Sequence, residues 1–339
     1  MNLLELKQKY RDAVDQVAKD YDSQLYTRNS HIDQYFAGPG VVQEDYALHR
    51  DCNVCGSDRT EPILEDSPFP FVRCLDCGFG YMNPIVDPER TEILTEGIAE
   101  MRQYAIEHMA KRGRTAKPNQ QLREILKVKS GGAFLDVGCG LGRQLEMASR
   151  FFERSEGIEV CRTTAAYCRQ AGYTVHDRPL EELDLPDASF DVVFMGQVIE
   201  HLVDPRRNCE RVFELLKSGG VFYLDTPNFF SLSMRLFGAR NSLVFGSSHI
   251  SLFNRATLCR LLESVGFRIH RARTYQTDLY PMDVLYYMVN RERFRHRRNL
   301  HLPFYLLFYR VFHQVFEEQV CRNMGPQWGS YMRVLAVKP

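Results

Sequence analysis

The sequence predicts an α/β fold, a largely parallel sheet covered by helices on both faces, with a small cysteine-rich module ahead of it. Three observations carry this expectation. Apolar strand-like runs alternate with helical spacing from about residue 130 onward. One of these runs, Phe134-Leu-Asp-Val-Gly-Cys-Gly-Leu-Gly142, leads straight into a glycine-rich turn. Upstream, Cys52-Asn-Val-Cys55-Gly56 and Cys74-Leu-Asp-Cys77-Gly78 form a doubled Cys-x-x-Cys-Gly pattern.

Length and composition bound the rest. A chain of 339 residues can bury a substantial core and exceeds one ordinary domain, so a main domain with an appendage is expected. The 43 basic and 43 acidic residues cancel, which weighs against broad nucleic-acid binding. No long uncharged apolar run is present and the first ten residues already carry charge, so neither a secretory signal nor a membrane-spanning helix is expected. Ten cysteines without an export signal predict reduced thiols in a cytoplasmic protein.

The glycine turn is the first element to justify. Gly138, Gly140 and Gly142 let the backbone turn tightly and approach a ligand, and Leu141 to Arg150 reads as the helix whose first N–H groups face the same crevice. Taken alone, this spacing suits a dinucleotide site, another nucleotide cofactor, or a turn that binds nothing. Two acids narrow the choice. Asp136 lies inside the strand, where a dinucleotide fingerprint usually stays apolar. Glu159 ends the next strand, Ser155 to Glu159, about 20 residues beyond the turn, where it can accept hydrogen bonds from ribose hydroxyls.

At these residues the chain resembles the class I S-adenosylmethionine-dependent methyltransferases, in particular the UbiG-like group. Leu180 to Phe194 is similar to that family's third loop and fourth strand, Gln197-Val-Ile-Glu-His-Leu202 to the segment after it, and Gly219 to Asn228 to its fifth strand. His249 to Phe253 and Leu261 to Phe267 are similar to its late segment, and Ser330 to Val337 to its antiparallel seventh strand. The resemblance implies a Rossmann-like seven-stranded sheet, the cofactor S-adenosylmethionine, and transfer of its methyl group. It also implies cofactor contacts by Asp136, Gly138, Cys139, Gly140 and Gly142, by Glu159 and Val160, by Leu180 and Glu181 at the adenine, and by Gly196 and Gln197 at the methionine end.

The four upstream cysteines have the spacing of a closed zinc site. Each knuckle can aim two thiolates at one metal, and the following glycine permits the tight turn, so Cys52, Cys55, Cys74 and Cys77 are the expected ligands of a structural Zn²⁺. Two unrelated reduced pairs, or a redox pair, remain the alternatives. Cys139, Cys161, Cys168, Cys209, Cys259 and Cys321 are expected to pack within regular elements. An N-terminal ribbon before this core is similar to the arrangement in sugar C-methyltransferases. Those enzymes carry a further domain after the last core strand, whereas this sequence ends at Pro339, which weighs against a nucleotide-sugar substrate.

The expected organisation is a helical segment over 1–48, a zinc ribbon over 49–84, a helical cap over 85–129, and the methyltransferase domain over 130–339 with a helical insertion at 278–327. Tyr104 and Arg112 in the cap are either contacts to substrate or cofactor carboxylate, or a helix-face aromatic and a solvated cation. The insertion is aromatic and basic, with Arg291 to Arg298 as its charged run. It reads as a helical pair over the core or the acceptor site, or as a peripheral membrane contact.

For catalysis, His201 is the expected general base, with Glu200 beside it and His249 in a later polar loop as further candidates. Each has the alternative of ordering its own loop. The acceptor is expected to be a small or carrier-linked metabolite, with a hydroxyl oxygen of a sugar or of a related polyhydroxylated or phenolic compound as the target. The alternatives are carbon methylation of a sugar, RNA methylation, and a non-catalytic cofactor-binding module. RNA is disfavoured by the neutral charge and by Gly196-Gln-Val-Ile199 standing where a base-amine motif would be.

Overall fold

The computed structural model describes residues 33–88 apart from 39, 65, 66 and 68, and residues 118–237, 249–275 and 328–339. The expectations placed on 1–24, Tyr104, Arg112, Cys321 and the 278–327 insertion lie outside the described residues.

Seven strands form the main sheet: β8 (Ala133–Val137), β9 (Arg154–Ile158), β10 (Thr174–His176), β11 (Phe190–Gly196), β12 (Leu216–Pro227), β14 (Arg268–Tyr275) and β15 (Tyr331–Val337). Their order is β10-β9-β8-β11-β12-β15-β14. The first five are mutually parallel, and β15 runs antiparallel to both β12 and β14. This is a Rossmann-like seven-stranded sheet with its last strand antiparallel, as the sequence predicts.

The reason for two covered faces is visible strand by strand. Leu135, Val137, Val193, Met195, Phe222, Leu224, Val334 and Ala336 point to one side. There they pack under α4 (Pro205–Leu215) and α6 (Arg255–Val265). Their neighbours Phe134, Val192, Phe194, Val221, Tyr223 and Leu335 point to the other side, against α1 (Gln120–Leu126), α2 (Arg143–Ala148) and α3 (Arg162–Gln170). Burial on both faces explains why these strands read as continuous apolar runs rather than alternating ones. Helix ends are fixed by local chemistry. Asp204 accepts from the Arg207 N–H ahead of α4, Asn254 and Thr257 form a capping box on α6, and Gly266 closes α6 at φ +115°.

Ahead of this sheet lies a second, antiparallel one: β4 (Thr60–Pro62), β5 (Phe71–Cys74) and β6 (Gly80–Met82). Its fourth strand, β13 (Ser251–Leu252), comes from the segment before α6 and pairs with β6. The cysteine module and the main domain therefore share a sheet. They also share a core, since Cys52, Val54, Cys74, Phe79 and Tyr81 belong to the same buried cluster as Leu135, Phe222 and Leu258. Phe79 stacks on Tyr81 at 5.4 Å and on Phe253 at 4.7 Å between ring centroids. Among the described residues no helix is long and apolar enough to cross a membrane.

Because Phe79 is fully buried at this shared core, Phe79→Ala is expected to cost about 3–5 kcal/mol. Urea unfolding followed by both far-UV circular dichroism and thiol reactivity should show a single transition at lower midpoint. Two separated transitions would mean that the module and the sheet fold independently.

Candidate active site

Strand β8 ends at Val137 and passes into Gly138, Gly140 and Gly142, which hold φ of +73°, +52° and +74°. These left-handed values are the ones the sequence reading required of glycine. A Cβ on Gly138 would lie 2.4 Å from Val198 Cγ2, so the turn and the segment after β11 are in close approach. A Cβ on Gly140 would meet nothing within 4 Å, so here the backbone borders open space.

The two predicted acids lie in the strand ends next to this turn. Asp136 is 2% exposed and Glu159 3% exposed, at the C-terminal ends of neighbouring strands β8 and β9. Burial, with Cys168 and Glu159 close by, raises the Asp136 carboxyl well above the usual carboxylate range. Glu159 also organises the turn itself. Its Oε2 accepts from the Gly140 N–H at 3.0 Å and its Oε1 from the Cys161 N–H at 2.9 Å. Val160 beside it is an exposed apolar side chain. Cys139 is buried, as expected, and Cys168 donates its thiol to the Gly140 carbonyl at 3.2 Å. Leu180 is buried in the core cluster while Glu181 is exposed. A turn bordering open space, with a carboxylate bonded to its backbone and an exposed apolar side chain after it, fits a nucleoside bearing ribose hydroxyls.

Beyond β11, Gly196 leads to Gln197, which is held at φ +57°. Its N–H donates to the Asp225 carbonyl at 2.6 Å and its Nε2 to Asp225 Oδ1 at 3.1 Å. Asp225 is 1% exposed and collects three further donors: Gln121 Nε2 at 2.6 Å, Tyr275 OH at 2.7 Å and Arg333 Nε at 3.0 Å. Sequence reasoning identified the strand carrying Asp225 but gave that residue no role. A polar residue ending a buried strand was the available signal, whereas its partners on α1, β14 and β15 are far apart in sequence.

Glu200 and His201 sit on a short 3-10 turn, Ile199–His201. Glu200 is fully buried, and its Oε2 accepts from Thr226 Oγ1 at 2.8 Å. Its Oε1 has no hydrogen-bond partner and lies 3.9 Å from His201 Nε2. Burial pushes the Glu200 carboxyl up to about 8; the hydrogen bonds it accepts only partly offset this, and Asp225 adds repulsion. The structure brings His249 to the same place, with its ring centroid 4.9 Å from that of His201. Phe229 stands edge-on to His249 at 6.0 Å. All three predicted catalytic candidates are thus together, their nearest ligand atoms within 4.8 Å of one another, a spacing that a divalent cation could also bridge.

The four module cysteines converge as well. Cys52 Sγ and Cys77 Sγ are 3.4 Å apart, Cys55 Sγ and Cys74 Sγ 3.5 Å, and all four lie within 4.8 Å. Sulfur atoms of a tetrahedral zinc–thiolate site stand about 3.8 Å apart, given Zn–S bonds of about 2.3 Å. Gly56 and Gly78, both at φ +75°, close each knuckle by donating to the Cys52 and Cys74 carbonyls. Burial alone would raise the Cys74 thiol, but backbone N–H groups of Cys77 and Asp76 outweigh it and bring it to about 7. This donor set fits a closed zinc site.

Comparison with known proteins gives the following. Residues 107–272 match the family model described as a methyltransferase domain. A "Probable S-adenosylmethionine-dependent methyltransferase" of Mycolicibacterium smegmatis is 35% identical over 142 residues, 41% of this chain and 53% of that protein. A ubiquinone biosynthesis O-methyltransferase of Methylococcus capsulatus is 31% identical over 106 residues, 29% of this chain and 45% of that protein. The chain thus spans about half the length of these relatives. A solved S-adenosylmethionine-dependent methyltransferase of Archaeoglobus fulgidus superposes with a TM-score of 0.44 at 19% identity, over 70% of this chain and 94% of that one.

The raised Glu200 carboxyl has a thermodynamic consequence. The folded chain holds a proton there from about pH 4.5 to about 8 while the unfolded chain does not, so stability falls as pH rises through that window. Glu200→Gln should remove this fall, on the order of 3–5 kcal/mol, and leave stability below pH 4 little changed. Denaturant titrations of metal-loaded protein at pH 5, 7 and 9 measure it, and parallel profiles for the two proteins would show that Glu200 titrates normally.

Proposed function

We propose, from the match of residues 107–272 to a methyltransferase-domain model and from the relatives named as S-adenosylmethionine-dependent and ubiquinone O-methyltransferases, that this chain is an S-adenosylmethionine-dependent enzyme that methylates a hydroxyl oxygen of a small or carrier-linked metabolite. The observation that carries this reading is the open cradle at Gly140 between Asp136 and Glu159, one strand away from the segment bearing Glu200 and His201. S-adenosylmethionine in that cradle supplies an electrophilic methyl group on a sulfonium.

The chain's own residues then have three tasks. Asp136, Glu159 and Val160 hold the nucleoside end, with the glycine turn approaching closely. Gln197, fixed through Asp225, orders the methionine end. His201 takes the hydroxyl proton as the acceptor oxygen attacks, becoming an imidazolium whose Nε2 lies 3.9 Å from the Glu200 carboxyl. The relative named for ubiquinone O-methylation supports a hydroxyl acceptor, and among hydroxyl compounds phenolic and sugar-like ones are the expected class.

Zinc at Cys52, Cys55, Cys74 and Cys77 would be closed to substrate, since four thiolates complete its coordination. Its role is structural. Purified protein should contain one zinc per chain by atomic emission, and Cys74→Ser should lose it with a marked drop in Tm; metal-free protein of unchanged Tm would refute the assignment.

For the reaction, His201→Ala and His201→Gln should lower kcat by about 10²- to 10⁴-fold and leave calorimetric affinity for S-adenosylmethionine within twofold. Labelled methyl should enter a small-molecule extract rather than total RNA. Unchanged turnover would remove His201 from the mechanism, and no cofactor binding would sink the whole reading.

A further inference from the structure

Arg50 lies two residues before Cys52, and its guanidinium reaches across the boundary into the catalytic loops. Nη1 donates to the Val203 carbonyl at 2.7 Å and Nη2 to the Ile250 carbonyl at 2.6 Å. Nε and Nη2 both donate to the Met82 carbonyl at 3.3 Å, and Nη1 also reaches Asn53 Oδ1 at 3.3 Å. The guanidinium stands 5.3 Å from the centroid of the Tyr81 ring. Val203 is two residues after His201, and Ile250 is the residue after His249. The two loops are also tied directly, the Ile250 N–H donating to the Glu200 carbonyl at 2.9 Å.

A planar fork with five donors is suited to spanning several acceptors in fixed directions, which a lysine cannot do. Here it spans one carbonyl of the cysteine module and one from each histidine-bearing loop. The choice of partners is informative. A bond serving only to glue the module down could end anywhere on the facing surface, as Arg206 does from the other side by donating to the Asn53 and Val54 carbonyls at 3.0 and 2.7 Å. Arg50 instead grips the loops where a small displacement changes the His201–His249 spacing. A guanidinium stays cationic at neutral pH, so its hydrogen bonds are charge-assisted.

We propose that Arg50 is a positioning residue for the His201–His249 pair, so that the cysteine module sets the geometry of the proton-accepting site. This rests on the reading of His201 as a base, but the contact geometry stands without it. The module is then part of the catalytic apparatus, and metal loss acts on the reaction by releasing Arg50 and with it both loops.

The test uses zinc-loaded, full-length protein labelled on histidine. Imidazole proton–carbon resonances are recorded at one pH, well below the Tm of every variant, for wild type, Arg50→Lys, Arg50→Met and Arg206→Gln. His201 and His249 are assigned by substitution. Their resonances are expected to move in Arg50→Met and partway in Arg50→Lys, while those of His176 and His270, on strands away from the loops, stay in place. Arg206→Gln should lower Tm without moving either pair. Chelator treatment of wild type should reproduce the Arg50→Met pattern. In turnover, Arg50→Met should lose on the order of 10²-fold in kcat with affinity for S-adenosylmethionine within twofold. Unmoved His201 and His249 resonances in both Arg50 variants would overturn the proposal, as would shifts of equal size in Arg206→Gln. Should wild type transfer no methyl group, the functional reading fails, and the resonances still decide the role of Arg50.

Discussion

The backbone carbonyls of Met82, Val203 and Ile250 converge on one buried guanidinium, and most of what distinguishes this chain from a bare parallel sheet depends on that convergence. Carbonyls withdrawn from water must find donors, and those of Val203 and Ile250 belong to segments with little regular structure of their own, while Met82 ends β6. Arg50 satisfies all three at once. Around it the β13–β6 pairing, the Phe79–Phe253 contact and the Arg206 bonds to Asn53 and Val54 complete a continuous junction. The cysteine module cannot be displaced without leaving those polar groups unpaired, a penalty of about 1–3 kcal/mol for each.

A second constraint comes from the sheet. Parallel strands bring the C-terminal ends of β8, β9, β11 and β12 to one edge, so Asp136, Glu159, Glu200 and Asp225 accumulate there, all buried. The fold relieves this crowding differently at each position. Glu159 is satisfied by two backbone N–H groups. Asp225 is surrounded by donors from Gln121, Gln197, Tyr275 and Arg333. Glu200 receives only Thr226 and keeps its proton instead. Unequal solvation of carboxyl groups on a single edge separates Glu159 and Asp225, which hold structure, from Asp136 and Glu200, whose carboxyls burial raises.

Much of this was legible in the residues. The glycine turn with Asp136 and Glu159 carried both the strand–turn–helix geometry and its open cradle, because backbone conformation and strand ends are local properties. The doubled Cys-x-x-Cys pattern carried the four-thiol cluster for the same reason. His201 and His249 could be nominated separately, yet nothing in their 48-residue separation announced rings 4.9 Å apart. Asp225 and Arg50 escaped altogether. Their partners are 28 to 200 residues away, and an arginine next to a zinc knuckle or an aspartate ending a strand looks like a solvated charge until the tertiary contacts exist.

The division between legible and hidden residues follows the division of labour in the site. Parts that bind a common nucleoside can be built from one local turn and two strand ends, since the ligand itself spans the gap between them. Handling a proton on an acceptor needs several side chains fixed to within a fraction of an ångström, and no single segment can hold them. Here that precision comes from packing a second sheet onto the first and threading a guanidinium between the two histidine loops. Acceptor chemistry can then diverge through changes in the module and its contacts while the cradle stays the same. The geometry of the histidine pair therefore depends on the junction between the cysteine module and the sheet, and the glycine turn on its own strand and helix.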